Sequence, residues 1–162
     1  MIDKINNGDY MEKKIVTLIS EHHSDPPEKT RHSGRALIIK DDKILLSHEI
    51  NTNIYMSPGG GLENDESLEE CVIRELKEEV GATAEKVIPL GRLYPTVAYD
   101  TEVIYMYLAT GLSFSEQKLD EDEFLDVVRM PLSEAVEMVM QDKIHDAKTV
   151  VAVLKAARLM QD

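Results

Sequence analysis

The stretch from Ser57 to Ala82 constrains this chain more than any other part of it. A Ser57-Pro58-Gly59-Gly60-Gly61 turn closes an apolar extended segment, and a helical pattern follows that carries Glu75, Glu78 and Glu79. Glycines let backbone carbonyls and amides come close to a ligand. At about 100° per residue the three glutamates fall within an arc of roughly 100°, because positions three and four apart are neighbours on a helix. Val72, Ile73, Leu76 and Val80 form the adjoining apolar stripe. The helix is therefore predicted to bury that side and hold its acidic edge at the mouth of a cleft. Like charges at this spacing repel, so a cation is expected among them, and hard carboxylate oxygens suit Mg²⁺, with Mn²⁺ as the alternative. An acidic run by itself reads as a solvated helix face. The glycine turn ahead of it shifts the reading toward a metal site.

From Gly60 the chain reads five residues, Glu66, seven residues, then Arg74-Glu75-Leu76-Lys77-Glu78-Glu79-Val80-Gly81-Ala82. Every fixed position of the Nudix box is filled over 60–82, and the chain resembles a Nudix hydrolase. The resemblance implies an α/β fold, a Nudix-like α/β/α sandwich with a mixed β-sheet, with residues 1–162 forming one domain and 1–33 a variable N-terminal segment. It also implies that the Gly59 carbonyl joins Glu75 and Glu79 as metal ligands, with Glu78 on the same metal cluster and Glu66 in support. Arg74 would orient a glutamate, a task that suits the planar guanidinium fork; the ordinary alternative is pairing along the helix with Glu70 or Glu78.

Composition bounds the function. The 162 residues suffice for one domain of ordinary size. With 31 acidic against 18 basic residues the formal charge is −13, which argues against binding nucleic acid or an anionic membrane. A small nucleotide-derived substrate brought in with a cation remains compatible. Cys71 is the single cysteine, so no internal disulfide is expected, and with no signal-like or membrane-length apolar stretch the expected location is cytoplasmic.

Along the chain, Ile15 to Ile19 reads as a short strand. The connection Glu21 to Ser33 follows, with His22, His23 and His32 read as loop residues rather than ligands. Arg35 to Ile39 and Lys43 to Ser47 flank Asp41-Asp42, a hairpin signal. Gly81 reads as the helix C-cap, Lys86 to Tyr94, Glu102 to Thr110 and Phe124 to Met130 as strands, Ser133 to Gln141 as a helix, and Asp146 as the cap of a longer helix reaching about Met160.

Gly91 to Pro95, Glu102 to Ile104, Leu119 to Phe124 and Asp146 to Thr149 are similar to the bacterial ADP-ribose pyrophosphatase branch. Thr96-Val97-Ala98 departs from its usual Ser-Pro-Gly turn. The branch resemblance implies a water-activating base at Glu121 or Glu123, with Glu78 as the alternative, and an acidic position near the substrate at Glu102. Tyr55, Tyr94 and Tyr99 are the aromatic candidates for contacting a base, and Gly60 belongs to the same substrate-binding set. The activity expected is metal-dependent hydrolysis of the phosphoanhydride in a nucleoside diphosphate linked to another group, as in ADP-ribose or a nucleotide sugar. The alternatives are a pyrophosphohydrolase of nucleoside triphosphates or modified nucleotides, and a nucleotide-sugar sensor that binds without cleaving. Homodimerisation is a family-level expectation.

Overall fold

The computed structural model describes residues 30–63, 65–119 and 124–161. The expected strand Ile15 to Ile19, His22 and His23 lie outside these residues.

Strands β1 (His32–Lys40) and β2 (Lys43–Glu49) form the expected hairpin. Asp41 and Asp42 adopt φ of 52° and 58°, the left-handed pair of a tight turn whose twist matches that of the flanking strands. Short β3 (Ile54–Met56) leads into the glycine turn, and helix α1 (Leu68–Val80) follows. Long β4 (Ala82–Leu93) and β5 (Val103–Phe114) pair antiparallel, and β6 (Leu125–Pro131) precedes α2 (Leu132–Met140) and α3 (Ala147–Leu159).

The sheet is mixed, because β1 runs antiparallel to β2 and parallel to β5. Strand β2 is its branch point. β6 follows one edge of β2 from Lys43 to Glu49; on the other edge β1 pairs only as far as Ile38 with Leu45, and β3 takes over where Ser47 meets Met56. The divergence of β1 and β3 opens the sheet beside the glycine turn.

Helices cover both faces. Leu37, Ile44, Leu46 and Met106 pack against Leu132 and Ala135 of α2 and against Ala152, Val153 and Ala156 of α3. On the opposite face Ala36, Ile38, Leu45 and Tyr107 pack against Val72, Leu76 and Val80 of α1. Strand alternation sends consecutive β1 residues into the two half-cores, which makes the architecture an α/β/α sandwich.

Helix α1 starts with a capping box: the Ser67 side chain accepts from the Glu70 amide while the Glu70 carboxylate accepts from the Ser67 amide. It ends at Gly81 in the left-handed conformation, with φ of 62°. Its buried arc differs from the sequence expectation. Cys71, Val72, Leu76, Glu79 and Val80 are buried, while Ile73 is turned out to 36% exposure. The reason is the close approach of β1, where a methyl added to Gly34 would sit 2.6 Å from Val72 Cγ2 and 3.7 Å from Cys71 Sγ. The helix rolls toward its glutamates, and Glu79 enters the buried arc instead of bordering it.

Candidate active site

The glycine turn lies along the first half of β1 as a partial strand. Gly34 donates to the Gly60 carbonyl at 2.9 Å, Ala36 to the Pro58 carbonyl at 2.7 Å and Leu62 to the His32 carbonyl at 3.1 Å. A Cβ at Gly60 would push the Glu75 carboxylate from its place.

From α1, Glu79 reaches under this turn. One of its oxygens accepts from the Gly59 amide and from the Ser47 hydroxyl, each at 3.2 Å. Arg74 gathers the other acids: it donates to Glu66 at 2.9 and 3.2 Å, to Glu75 at 3.0 Å, to Glu78 at 3.1 Å and to the Gly61 carbonyl at 3.2 Å. Glu78 is the most exposed of the three helix glutamates in this set, its side chain 44% accessible against 13% for Glu75.

These environments separate the acids electrostatically. Hydrogen bonding to Arg74 pulls Glu66 down to about 2. Burial pushes Glu79 up to about 7, against an opposing pull from Arg35, and burial also raises Glu75. Without metal the folded state retains a proton on Glu79 that the unfolded chain has lost, so stability is expected to fall as pH rises from about 4.5 to about 7 and then to level off. Glu66 acts in the other direction, its contribution present above about 4.5 and lost as pH falls toward 2. Melting temperatures in EDTA between pH 5 and 8 check the Glu79 effect, and the slope should flatten in Glu79→Gln.

The far side of the turn is tied to α3. The Ser57 amide donates to the Thr149 hydroxyl at 2.7 Å, and that hydroxyl donates to Asp146 at 2.6 Å. Asp146 also caps α3 by accepting from the Thr149 amide at 3.1 Å and pairs with Lys148 at 2.6 Å. Thr149 is fully buried. Removing its hydroxyl strands the buried Ser57 amide, so Thr149→Val is expected to cost about 1–3 kcal/mol in urea unfolding. We expect turnover to fall about tenfold as the turn loosens, the equivalent of roughly 1.4 kcal/mol; Thr149→Ser should recover most of both.

The structure brings Gly59, Gly60, Glu75 and Glu79 together with Arg35, Glu49 and Met56 in a cleft of about 560 Å³. Glu66, Arg74 and Glu78 flank it. Glu102 lies in an adjoining cleft of about 210 Å³, where it accepts from the Ser33 hydroxyl at 3.0 Å and lies 3.6 Å from Arg31. Tyr55 is half-buried, its ring stacked on His48 with centroids 4.4 Å apart. Tyr94 sits near the Arg92 guanidinium, and Tyr99 is 87% exposed in the connection between β4 and β5. His32 lies beside the Tyr105 ring. Glu121 and Glu123 lie outside the described residues.

Arg35, Ser47 and Thr149 were not expected at the site. Arg35 donates to the Gly59 and Ser57 carbonyls; the only sequence signal for it is a lone cation at the head of an apolar strand.

The donor set fits a hard divalent cation. Among the described residues no three His, Cys, Asp or Glu side chains are gathered into a ready-made cage. The carboxylates and carbonyl around the glycine turn instead suit a divalent cation that keeps waters and substrate oxygens in its shell.

The chain matches the family model described as NUDIX domain over residues 30–152. It is 33% identical over 135 residues to the ADP-ribose pyrophosphatase of Bacillus subtilis (strain 168), covering 78% of this chain and 73% of that protein. It is 34% identical to the methanol dehydrogenase activator of Bacillus methanolicus, with the same coverage. The GDP-mannose pyrophosphatase of Yersinia enterocolitica is 34% identical over 128 residues, covering 74% of this chain and 65% of that protein. Among solved structures, an ADP compounds hydrolase superposes with a TM-score of 0.69 at 26% identity, covering 82% of this chain and 74% of the other. No helix among the described residues is long and apolar enough to cross a membrane.

Proposed function

Since the chain belongs to the Nudix family, we propose that it is a Mg²⁺-dependent pyrophosphohydrolase that opens the phosphoanhydride of a nucleoside diphosphate linked to a sugar, with ADP-ribose or a nucleotide sugar such as GDP-mannose as substrate. Its strongest support is the convergence of Gly59, Glu75 and Glu79 on one cleft. Relatives named for ADP-ribose and for GDP-mannose stand at nearly equal identity, so the class is set more firmly than the sugar.

Glu75, Glu78, Glu79 and the Gly59 carbonyl would hold the cation, which when bound neutralises diphosphate oxygens and lowers the pKa of water. The remaining work belongs to the chain. Arg74 draws Glu75 and Glu78 together on its Nη1 and holds Glu66 through Nη2. The base that takes the proton of the attacking water is Glu121 or Glu123, with Glu78, the most accessible of the helix glutamates at the site, as the alternative. Ser47 and the Gly59 amide keep the Glu79 carboxylate in one rotamer. The enzyme acts in the cytoplasm and associates as a homodimer.

Phosphorus NMR of ADP-ribose, GDP-mannose, dinucleoside polyphosphates and nucleoside triphosphates, with Mg²⁺ and with EDTA, tests the reading. Mg²⁺-dependent release of a nucleoside monophosphate and a sugar phosphate is expected. Cleavage of triphosphates alone would replace the substrate class, and binding without cleavage would make the protein a sensor.

A further inference from the structure

Arg35 stands in the wall shared by the two clefts on either side of the glycine turn. In the larger it faces Glu75 and Glu79, and its charge opposes the rise of both carboxyls. In the smaller it lies with Arg31 and Lys148, each of which is paired with an acid of the same cleft, Arg31 with Glu102 and Lys148 with Asp146. Its Nη1 donates to the Gly59 carbonyl, the same oxygen that would serve a cation. Its Nε is buried and has no acceptor. A buried guanidinium N–H without an acceptor is costly, and a phosphate presents acceptor oxygens matched to the guanidinium fork. This arrangement thus leaves one donor unused and commits another to a carbonyl that has a second use.

We propose that Arg35 exchanges the Gly59 carbonyl for a phosphate oxygen of the substrate, so that binding of the diphosphate releases the carbonyl and the cation site is completed only when substrate is present. The inference rests on the hydrolase reading and makes Arg35 a substrate-binding residue as well as a positioning one. A rotation of its side chain into the cleft satisfies Nε and unloads Gly59 in one movement. By linkage, whatever substrate does for cation affinity the cation does for substrate.

The proposal predicts opposite signs for one substitution. In Arg35→Ala at pH 8, nucleotide-free protein should bind Mn²⁺ several-fold more tightly by electron paramagnetic resonance, because the competing donor is gone. The same variant should bind α,β-methylene-ADP about tenfold more weakly in EDTA by calorimetry, because the phosphate has lost its guanidinium. Arg35→Lys, which keeps the charge without the fork, should fall between on both and guards against a folding defect in the alanine variant. Weakening of both ligands in either variant would make Arg35 a structural support and overturn the proposal. So would unchanged nucleotide affinity, or the lack of any metal-free nucleotide binding by the wild type. Both readouts are equilibrium binding, so a wild type that cleaves nothing in the NMR assay would overturn the hydrolase reading separately.

Discussion

Glu79→Gln is expected to lower Mg²⁺-dependent turnover by about a thousandfold, the equivalent of roughly 4 kcal/mol of barrier, while the protein stays folded. The change is nearly isosteric, and the amide oxygen can still accept from Ser47 and from the Gly59 amide at the 3.2 Å positions of the carboxylate. What disappears is the charge. The carboxyl sits in a buried environment that holds its proton up to about pH 7, so below that pH its ionised form is present chiefly when a cation compensates it, and above it the bare charge is buried. Above pH 7 and without metal, the variant should therefore melt higher than the wild type, by an amount reflecting a few kcal/mol of relieved burial. Loss of activity together with a gain in metal-free stability is a signature that a structural glutamate does not give. Equal turnover in the two proteins would remove Glu79 from the metal site.

Gly59→Ala should have the largest structural effect of a methyl added at any of the described glycines. Gly59 sits at φ of 133°, a region that residues with a Cβ rarely adopt. An alanine Cβ there would collide with the Gly34 carbonyl oxygen and lie 2.9 Å from Arg35 Cα. Neither obstacle can step aside, because Gly34 and Ala36 are locked to the turn by their bonds to Gly60 and Pro58. We expect a loss of about 3 kcal/mol or more in urea unfolding and no detectable turnover, since the carbonyl, the Glu79 contact and the Arg35 contact all move together. Gly61→Ala is the control. Its added methyl would first meet the exposed Arg31 side chain at 3.6 Å, and it should change stability by less than about 0.5 kcal/mol. Matching curves for the two variants would mean the turn is not held as described.

Local chemistry made much of the fold readable in advance. Asp41-Asp42 tolerates the left-handed pair a tight hairpin needs, Gly81 ends α1 because it alone takes the cap conformation cheaply, and Asp146 caps α3 through the Thr149 amide. These signals act within a few residues. Arg35 and Thr149 were invisible for the opposite reason: each matters through a partner far away in sequence, Gly59 in one case and Ser57 in the other. No local pattern marks a strand residue as the one that will lie beside a distant turn. Ile73 misled in a related way. Helical periodicity places it beside the apolar stripe, and only the proximity of Gly34 decides that Cys71 is buried in its place.

The acids and the α3 contacts reach the turn from opposite faces of the sheet, through half-cores that share no helix. The glutamates belong to the α1 layer, whereas Asp146, Ala147 and Lys148, which line the smaller cleft, belong to the α3 layer. Substitutions that reshape the ligand wall can therefore accumulate in one layer without repacking the other. Such a chain can change what it accepts while keeping what it does to it, and a laboratory seeking a new specificity should randomise Ala147 and Lys148, spare the Asp146 and Thr149 that hold the turn, and leave α1 alone.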